Sequence, residues 1–221
     1  LALSGKGGAV DVLVMTATPI PRTLTLTAYG DMESSRLTEK PAGRQPIDTR
    51  TVPLERLDEI VSAVQRALAI GTKIYWICPL VEESEVLDLA AAEDRYAHLK
   101  QVFGDRIGLV HGKMKGPEKD KVMEQFAGKG VDILVATTVV EVGVDVPDAT
   151  IMVVEHAERF GLAQLHQLRG RIGRGSEKST CLLLYGGGLS EQARERLKIM
   201  RETEDGFRIA EEDLRLRGAG E

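Results

Sequence analysis

Aromatic side chains, cysteines and long apolar runs are all scarce in this sequence. Only 4% of the 221 residues are aromatic, and no apolar run approaches the roughly 18 residues that a membrane-spanning helix needs. Cys78 and Cys181, the two cysteines, each lie in an apolar run typical of a strand, which favours buried free thiols over a disulfide or a metal pair. The first residues do not have the pattern of a signal peptide. We therefore expect a soluble, intracellular protein in the cytoplasm.

The sequence also lacks an excess of basic residues. Its 29 Lys and Arg against 34 Asp and Glu give a net charge of -5, which argues against a generally basic coat for nucleic acid. DNA binding is still possible, because phosphate contacts can be local and a protein that moves along DNA needs a grip weak enough to release. The length allows one large or two small domains, each with a buried core.

The segment from Gln164 to Gly175 alternates arginine with glycine. Arg169, Arg171 and Arg174 are interleaved with glycines that let the backbone turn tightly and approach a ligand closely. A guanidinium is planar, always charged and well matched to phosphate. The pattern therefore predicts a phosphate-binding segment, and the alternative is a solvated basic loop, since Arg-Gly alternation is also common in flexible linkers.

Two further segments have unusual patterns. In residues 132–147 an apolar run breaks into two threonines, and Asp145 and Pro147 follow. In residues 16–23 two prolines, Pro19 and Pro21, forbid a helix and hold the chain extended directly after an apolar run.

Together these segments resemble three motifs of superfamily 2 helicases. Residues 167–174 have the Gln-x-x-Gly-Arg-x-x-Arg pattern of motif VI, residues 132–147 resemble motif V, and residues 16–23 resemble motif III. The motif III sequence in residues 16–23 and the linker sequence in residues 43–47 most resemble those of RecG-type ATP-dependent DNA helicases. One alternative is the corresponding lobe of the transcription-repair coupling factor. Another is a non-catalytic nucleic-acid-binding module that kept the fold.

The resemblance implies a function for each matching residue. At the nucleotide it implies that Arg171 and Arg174 are arginine fingers and that Gln167 links motif VI to the nucleotide. It also implies that Gly143 and Asp145 lie beside the ribose. It implies DNA-backbone contacts at Thr137, His111 and Lys113, coupling of nucleotide state to DNA at Thr16, Thr18 and Arg22, and the start of a translocation motif at Arg215 and Arg217. Arg169 stays open between a functional and a structural position.

The fold class that we predict is α/β, with the RecA-like parallel sheet of a helicase second lobe flanked by helices. About six strands alternate with helices after the linker. Among the predicted helices are one from Leu54 to Leu68, a short one that carries motif VI, and a charged amphipathic one from Leu189 to Thr203. We expect the end of a first lobe, with motif III and the linker, in residues 1–47, the RecA-like second lobe in 48–186, and a helical extension that begins the translocation motif in 187–221.

A Walker A loop and the acidic pair that holds Mg²⁺ are not recognisable, since the segment from Ser4 to Gly8 fails the Walker A pattern. The resemblance thus implies a C-terminal motor-lobe fragment that is inactive alone and closes over ATP, with Mg²⁺ held mainly by another lobe. The implied partners are branched or forked duplex DNA and its own N-terminal motor lobe and wedge domain, with no membrane. The implied function is translocation on double-stranded DNA that remodels stalled replication forks in recombination and repair.

Overall fold

The computed structural model describes residues 43–79, 85–137 and 146–218, together with Met15, Ser35, Leu37 and Glu39 as single positions. The described part contains six strands, which are β1 (Ile47–Pro53), β2 (Lys73–Cys78), β3 (Ile107–Val110), β4 (Ile133–Thr137), β5 (Ala149–Val154) and β6 (Ser179–Tyr185). The α-helices are α1 (Leu57–Ala69), α2 (Glu85–Phe103), α3 (Gly116–Ala127), α4 (Leu162–Arg169), α5 (Glu191–Glu202) and α6 (Gly206–Arg217).

The six strands form one sheet in the order β1-β6-β5-β2-β4-β3, and every pairing between neighbours is parallel. Every residue of β2 and β4 is buried, as expected for inner strands that are covered on both faces. The predicted parallel sheet with six strands after the linker is confirmed for the described residues.

Helices cover both faces of the sheet. On one face α1 and α2 pack through Ile60, Val64 and Leu99 against the apolar side of the strands. On the other face α3 to α6 supply the second half of the core, for example through Phe126 and Leu165. Because all strands are parallel, their starts lie at one edge of the sheet, the amino edge, and their ends lie at the opposite carboxyl edge.

Several element boundaries differ from the predicted ones by a few residues. Strand β1 begins at Ile47, inside the predicted linker, because Ile47 pairs with Ser179 and its backbone N–H donates to the Glu204 carboxylate. The predicted helix from Leu189 to Thr203 begins at Glu191, because the Ser190 hydroxyl accepts the Ala193 backbone N–H at 3.1 Å and caps it. The helix predicted from residue 54 starts with a 3-10 turn, Leu54–Arg56, before α1.

Both cysteines are buried and free, as predicted. Burial raises the pKa of the Cys181 thiol to about 12, and burial and the charge of Glu155 raise the pKa of Cys78. In the described residues, no helix is both long enough and apolar enough to cross a bilayer.

Candidate functional site

The arginine-glycine segment lies at the end of helix α4. The Gln164 side chain accepts the Gly161 backbone N–H at 3.0 Å, which caps the start of this helix. The helix ends at Arg169, where tight turns take over, since the Arg171 N–H donates to the Leu168 carbonyl at 2.9 Å. The sequence prediction put all of motif VI on a short helix, but only its first part is helical, and Arg171 and Arg174 lie on the loop that follows.

Two residues fix the path of this loop. Ile172 is fully buried in the core. Gly173 follows with a φ of +70°, and a Cβ there would lie only 2.8 Å from Cγ1 of Ile47. A left-handed turn packed this closely favours glycine, because an L side chain would meet both strain and a clash. The loop is thereby held at the amino edge of the sheet, next to the starts of β1 and β6.

The two predicted arginine fingers point away from the core. Arg171 is half-buried and Arg174 is exposed, and Nε of Arg174 donates to the Gly170 carbonyl at 3.2 Å. Gln167 is exposed on α4. Neither arginine is buried in the interior. Burial of both side chains would have contradicted a motor function. A half-buried and an exposed guanidinium on a fixed loop form a cationic surface that suits phosphate oxygens.

Arg169, two residues earlier, is in the core and is only 2% exposed. Its guanidinium donates to the carbonyls of Met200 and Thr203 at the end of α5 and to the Thr49 hydroxyl at 3.2 Å in β1. Burial lowers the pKa of Arg169. This residue is therefore structural, which answers the question left open by the sequence, because its donors satisfy carbonyls that a helix end leaves without partners.

The end of the motif V segment meets the motif VI loop at the amino edge. A Cβ on Gly175 would lie 3.7 Å from the carbonyl oxygen of Pro147, two residues before β5 begins. The predicted ribose contacts, Gly143 and Asp145, lie outside the described residues. The same holds for the predicted coupling residues Thr16, Thr18 and Arg22.

The predicted DNA contacts lie at the opposite, carboxyl edge. Thr137 is the last residue of β4, and His111 directly follows β3. Because Val110 pairs with Ala136, His111 and Thr137 are neighbours across the two strands. Oγ1 of Thr137 and Nδ1 of His111 are both buried and have no hydrogen-bond partner within the described part of the chain. Lys113 is exposed in the turn beyond them.

The two predicted translocation residues lie on the exposed side of α6 and are paired locally. Arg215 donates to Glu212 at 2.6 Å and also contacts Glu195 of α5 at 3.4 Å, and its pKa is raised by the hydrogen bond to Glu212. Arg217 lies 3.2 Å from Asp213, and its guanidinium approaches Gly161 at the start of α4. Their predicted function is not tested by this geometry.

Comparison with known proteins identifies the family of this chain. Residues 54–176, more than half of the chain, match the model described as the helicase conserved C-terminal domain. The chain belongs to this family.

Several of the proteins to which the chain is similar are named RecG. It is 56% identical over 217 residues to the ATP-dependent DNA helicase RecG of Acidithiobacillus ferridurans, a match that covers 98% of this chain and 32% of that protein. It superimposes on a solved structure of RecG bound to a three-way DNA junction with a TM-score of 0.81 and 46% identity, over 97% of this chain and 28% of that one. The predicted resemblance to RecG-type helicases is confirmed, and the chain spans 32% of the length of this curated relative.

A more distant structure shares the fold alone. Dbp5 of S. cerevisiae, solved with RNA and ADP BeF3, has a TM-score of 0.58 and 16% identity over 83% of this chain and 47% of that one. The predicted RecA-like fold of a helicase C-terminal lobe is confirmed.

A buried carboxylate of this helicase domain was missed by the sequence analysis. Glu155, directly after β5, is 6% exposed and accepts hydrogen bonds from Trp76 Nε1 at 2.6 Å and from Arg95 Nε and Nη2 at 2.5 and 3.1 Å. This network fixes α2 against the carboxyl edge of the sheet. The only signal in the sequence was a carboxylate that immediately follows an apolar run.

The two arginines of the motif VI loop supply donors for an anion and not ligands for a metal ion. In the described residues, no group of three or more His, Cys, Asp or Glu side chains could hold a metal. Arg171 and Arg174 on their fixed loop supply only donors, which fit the phosphate oxygens of ATP and not its Mg²⁺.

Proposed function

We propose that this chain is the C-terminal motor lobe of an ATP-dependent helicase that translocates on double-stranded DNA in the cytoplasm and remodels branched DNA and stalled replication forks in recombination and repair. Its partners are branched or forked duplex DNA and an N-terminal motor lobe and wedge domain of the same protein. That N-terminal lobe holds most of the contacts to Mg²⁺ and the nucleotide. The names of the relatives favour this function over the lobe of a transcription-repair coupling factor.

The observation that carries the proposal is the different placement of three nearby arginines. Arg169 is buried and bonded to local carbonyls, while Arg171 and Arg174 lie on a loop whose path is fixed by a buried isoleucine and a left-handed glycine. A non-catalytic binding module has no need of two cations held in this manner. Preorganised charge is what transition-state stabilisation requires, because it costs no rearrangement when the reaction occurs.

In the closed motor, the two arginines donate to the γ-phosphate and neutralise the charge that develops during its transfer to water. An arginine supplied in this way increases the rate by about 10³ to 10⁵. ATP provides the phosphoryl group, and Gly143 and Asp145 contact its ribose. Closing and opening of the two lobes then move Thr137, His111 and Lys113 along the DNA backbone.

The test is Arg171→Ala in the intact helicase that contains this chain. We expect DNA-stimulated ATP hydrolysis to fall by about 10³-fold, with nucleotide binding largely unchanged, because the arginine acts on the transition state more than on bound ATP. Steady-state ATPase rates and binding of a fluorescent ATP analogue measure the two effects separately. Arg66→Ala on the exposed side of α1 is the matched control and should change neither.

Equal losses of hydrolysis and nucleotide binding, together with a lower unfolding temperature, would indicate a folding function for Arg171 and contradict the proposal. The isolated 221-residue chain should show no ATPase activity, since it has no recognisable Walker A or B motif. A steady-state rate from the purified chain would show that the missing-lobe interpretation is wrong.

A further inference from the structure

A second cationic site lies beside helix α5, and none of the predicted site residues lines it. It is a cavity of about 420 Å³ between edge strand β1, helix α5 and the loop of residues 186–188. We call it the basic groove, because its walls carry Arg194, Lys198 and Arg201 of α5. None of the described residues that line it is acidic.

The three cations lie on one side of α5. Their spacing of four and then three residues places them in a row, because such positions are neighbours on a helix surface. All three are exposed. The side chains of Arg194 and Arg201 make no ion pair or hydrogen bond to other described residues, and Lys198 has only Glu195 at 3.9 Å.

This lack of pairing differs from several other exposed arginines of the domain. Arg50, Arg56 and Arg106 each bond to a carboxylate at 2.5–2.9 Å, and the arginines of α6 each lie 2.6–3.2 Å from one. Three close cations that share only one carboxylate, Glu195 at 3.9 Å from Lys198, repel one another, and a protein with a net charge of -5 has enough carboxylates to pair them. The arrangement is therefore suited to an external anion with several charges.

The shape of the groove suits a chain of phosphates. Gly187 and Gly188 line it, and a Cβ on either of them would meet nothing within 4 Å, so the backbone side of the groove is open. From Arg194 to Arg201 the helix rises by about 10 Å, which matches about three phosphate-to-phosphate steps of one DNA strand at about 3.4 Å of axis each.

From these observations we infer that the basic groove binds consecutive phosphates on one strand of the duplex DNA on which the motor acts, an inference that rests on the proposed function. The groove lies beside the end of β6, and Thr137 ends β4, with β5 and β2 between them. Three strand spacings amount to about 14 Å, comparable with the roughly 12 Å width of a DNA major groove, whose two sides are phosphate backbones. One duplex can thus contact both sites.

The test compares two triple variants of the 221-residue chain in binding to a short DNA duplex. Arg194→Ala, Lys198→Ala and Arg201→Ala remove the groove cations. Arg66→Ala, Lys121→Ala and Lys129→Ala remove the same charge from exposed positions outside the groove. Fluorescence anisotropy at several salt concentrations gives the affinity and its dependence on salt. All six side chains are exposed, so thermal unfolding should be nearly unchanged in both variants.

We expect the groove variant to lose about tenfold or more in affinity, and its plot of log affinity against log salt to become less steep by about 3, which is close to 0.9 for each lost phosphate contact. The control variant should remain close to the parent in both measurements. Arg201→Glu alone should weaken binding more than Arg66→Glu. Equal affinities and equal salt slopes in the two triple variants would overturn the inference, as would a parent chain that does not bind duplex DNA.

The source of the phosphate is tested by competition. If the groove binds DNA, then inorganic phosphate or ADP should displace the duplex no better than chloride at equal ionic strength. Strong displacement by ADP from the parent but not from the groove variant would identify a free nucleotide as the ligand and overturn the DNA assignment. A failed groove test leaves the Arg171→Ala result intact, because that measurement reports on the other edge of the sheet.

Discussion

The amino and carboxyl edges of the sheet hold their polar groups in different ways. At the amino edge, the loop that carries Arg171 and Arg174 is anchored by neighbours that are buried or sterically fixed, namely Ile172 and Gly173. At the carboxyl edge, Thr137 and His111 each present a buried polar atom with no hydrogen-bond partner among the described residues. One edge has charged side chains on a rigid support, and the other has two buried polar atoms with unused hydrogen-bonding capacity next to the exposed Lys113.

This difference suits the two tasks that we propose. Stabilising a transferred phosphoryl group needs full charges that do not rearrange. A hydroxyl such as that of Thr137 can hold a DNA backbone that must be released at each step, because a net hydrogen bond contributes only about 0.5–1.5 kcal/mol. The comparison predicts that substitutions at the amino-edge anchors reduce stability, whereas substitutions at the carboxyl edge reduce DNA binding without reducing stability.

The largest stability effect is expected for Arg169→Met. Methionine preserves much of the apolar stem but removes the donors to Met200, Thr203 and Thr49, so two carbonyls at the end of α5 lose their partner. We expect the free energy of unfolding to fall by about 2–3 kcal/mol, measured by urea denaturation. In Arg171→Met, the matched control, the change should stay within about 0.5 kcal/mol, because that side chain is outside the core.

A smaller loss is expected for Gly173→Ala. The left-handed backbone costs an alanine about 1–2 kcal/mol, and contact with Ile47 adds to this, though the flexible isoleucine can move partly away. Gly188→Ala separates the two contributions, because Gly188 has a similar φ of +73° with open space around it. We expect the free energy of unfolding, measured by urea denaturation, to fall by about 2 kcal/mol in Gly173→Ala and by about 1 kcal/mol in Gly188→Ala. Equal losses would show that the contact with Ile47 is not important.

Much of the fold was predictable because it depends on local patterns. The continuous apolar run of β2 indicated an inner parallel strand, and the 3.6-residue spacing of Ile60 and Val64 indicated a helix with one buried face. These signals lie within one segment of the chain and depend little on distant residues. The predicted ends of helices and strands were less accurate. The Ser190 cap decides where α5 begins, and the pairing of Ile47 with Ser179 decides where β1 begins.

The site was predictable only in part, because its geometry depends on distant partners. The sequence shows three similar arginines within six positions, but Arg169 bonds to residues 31 and 34 positions later in the chain, and no local pattern shows this. Glu155 has partners 79 and 60 positions earlier, so a strand-end carboxylate gave no sign of a buried network. The sequence of α5 predicts an ordinary charged amphipathic helix. Only the fold shows that its row of cations lies beside the glycine loop of residues 186–188.

The smallest effect on the free energy of unfolding is expected for Thr137→Val, and its sign is opposite to that of the other substitutions. Valine keeps the β-branched shape at the end of β4 and removes a buried hydroxyl that has no partner in the described part of the chain. The free energy of unfolding should stay the same or rise by up to about 1 kcal/mol, because an unsatisfied buried hydroxyl is costly. DNA affinity should fall by about fivefold, the value of one lost hydrogen bond.

Thr180→Val, the same substitution near the start of β6, serves as the control for Thr137→Val and should leave DNA affinity unchanged. Anisotropy titrations with duplex DNA and urea denaturation measure the two quantities on the same samples. A Thr137→Val variant that is less stable but binds DNA normally would contradict the contrast between the edges. In that case the hydroxyl would have a partner within the protein, and the carboxyl edge would be built for stability just as the amino edge is.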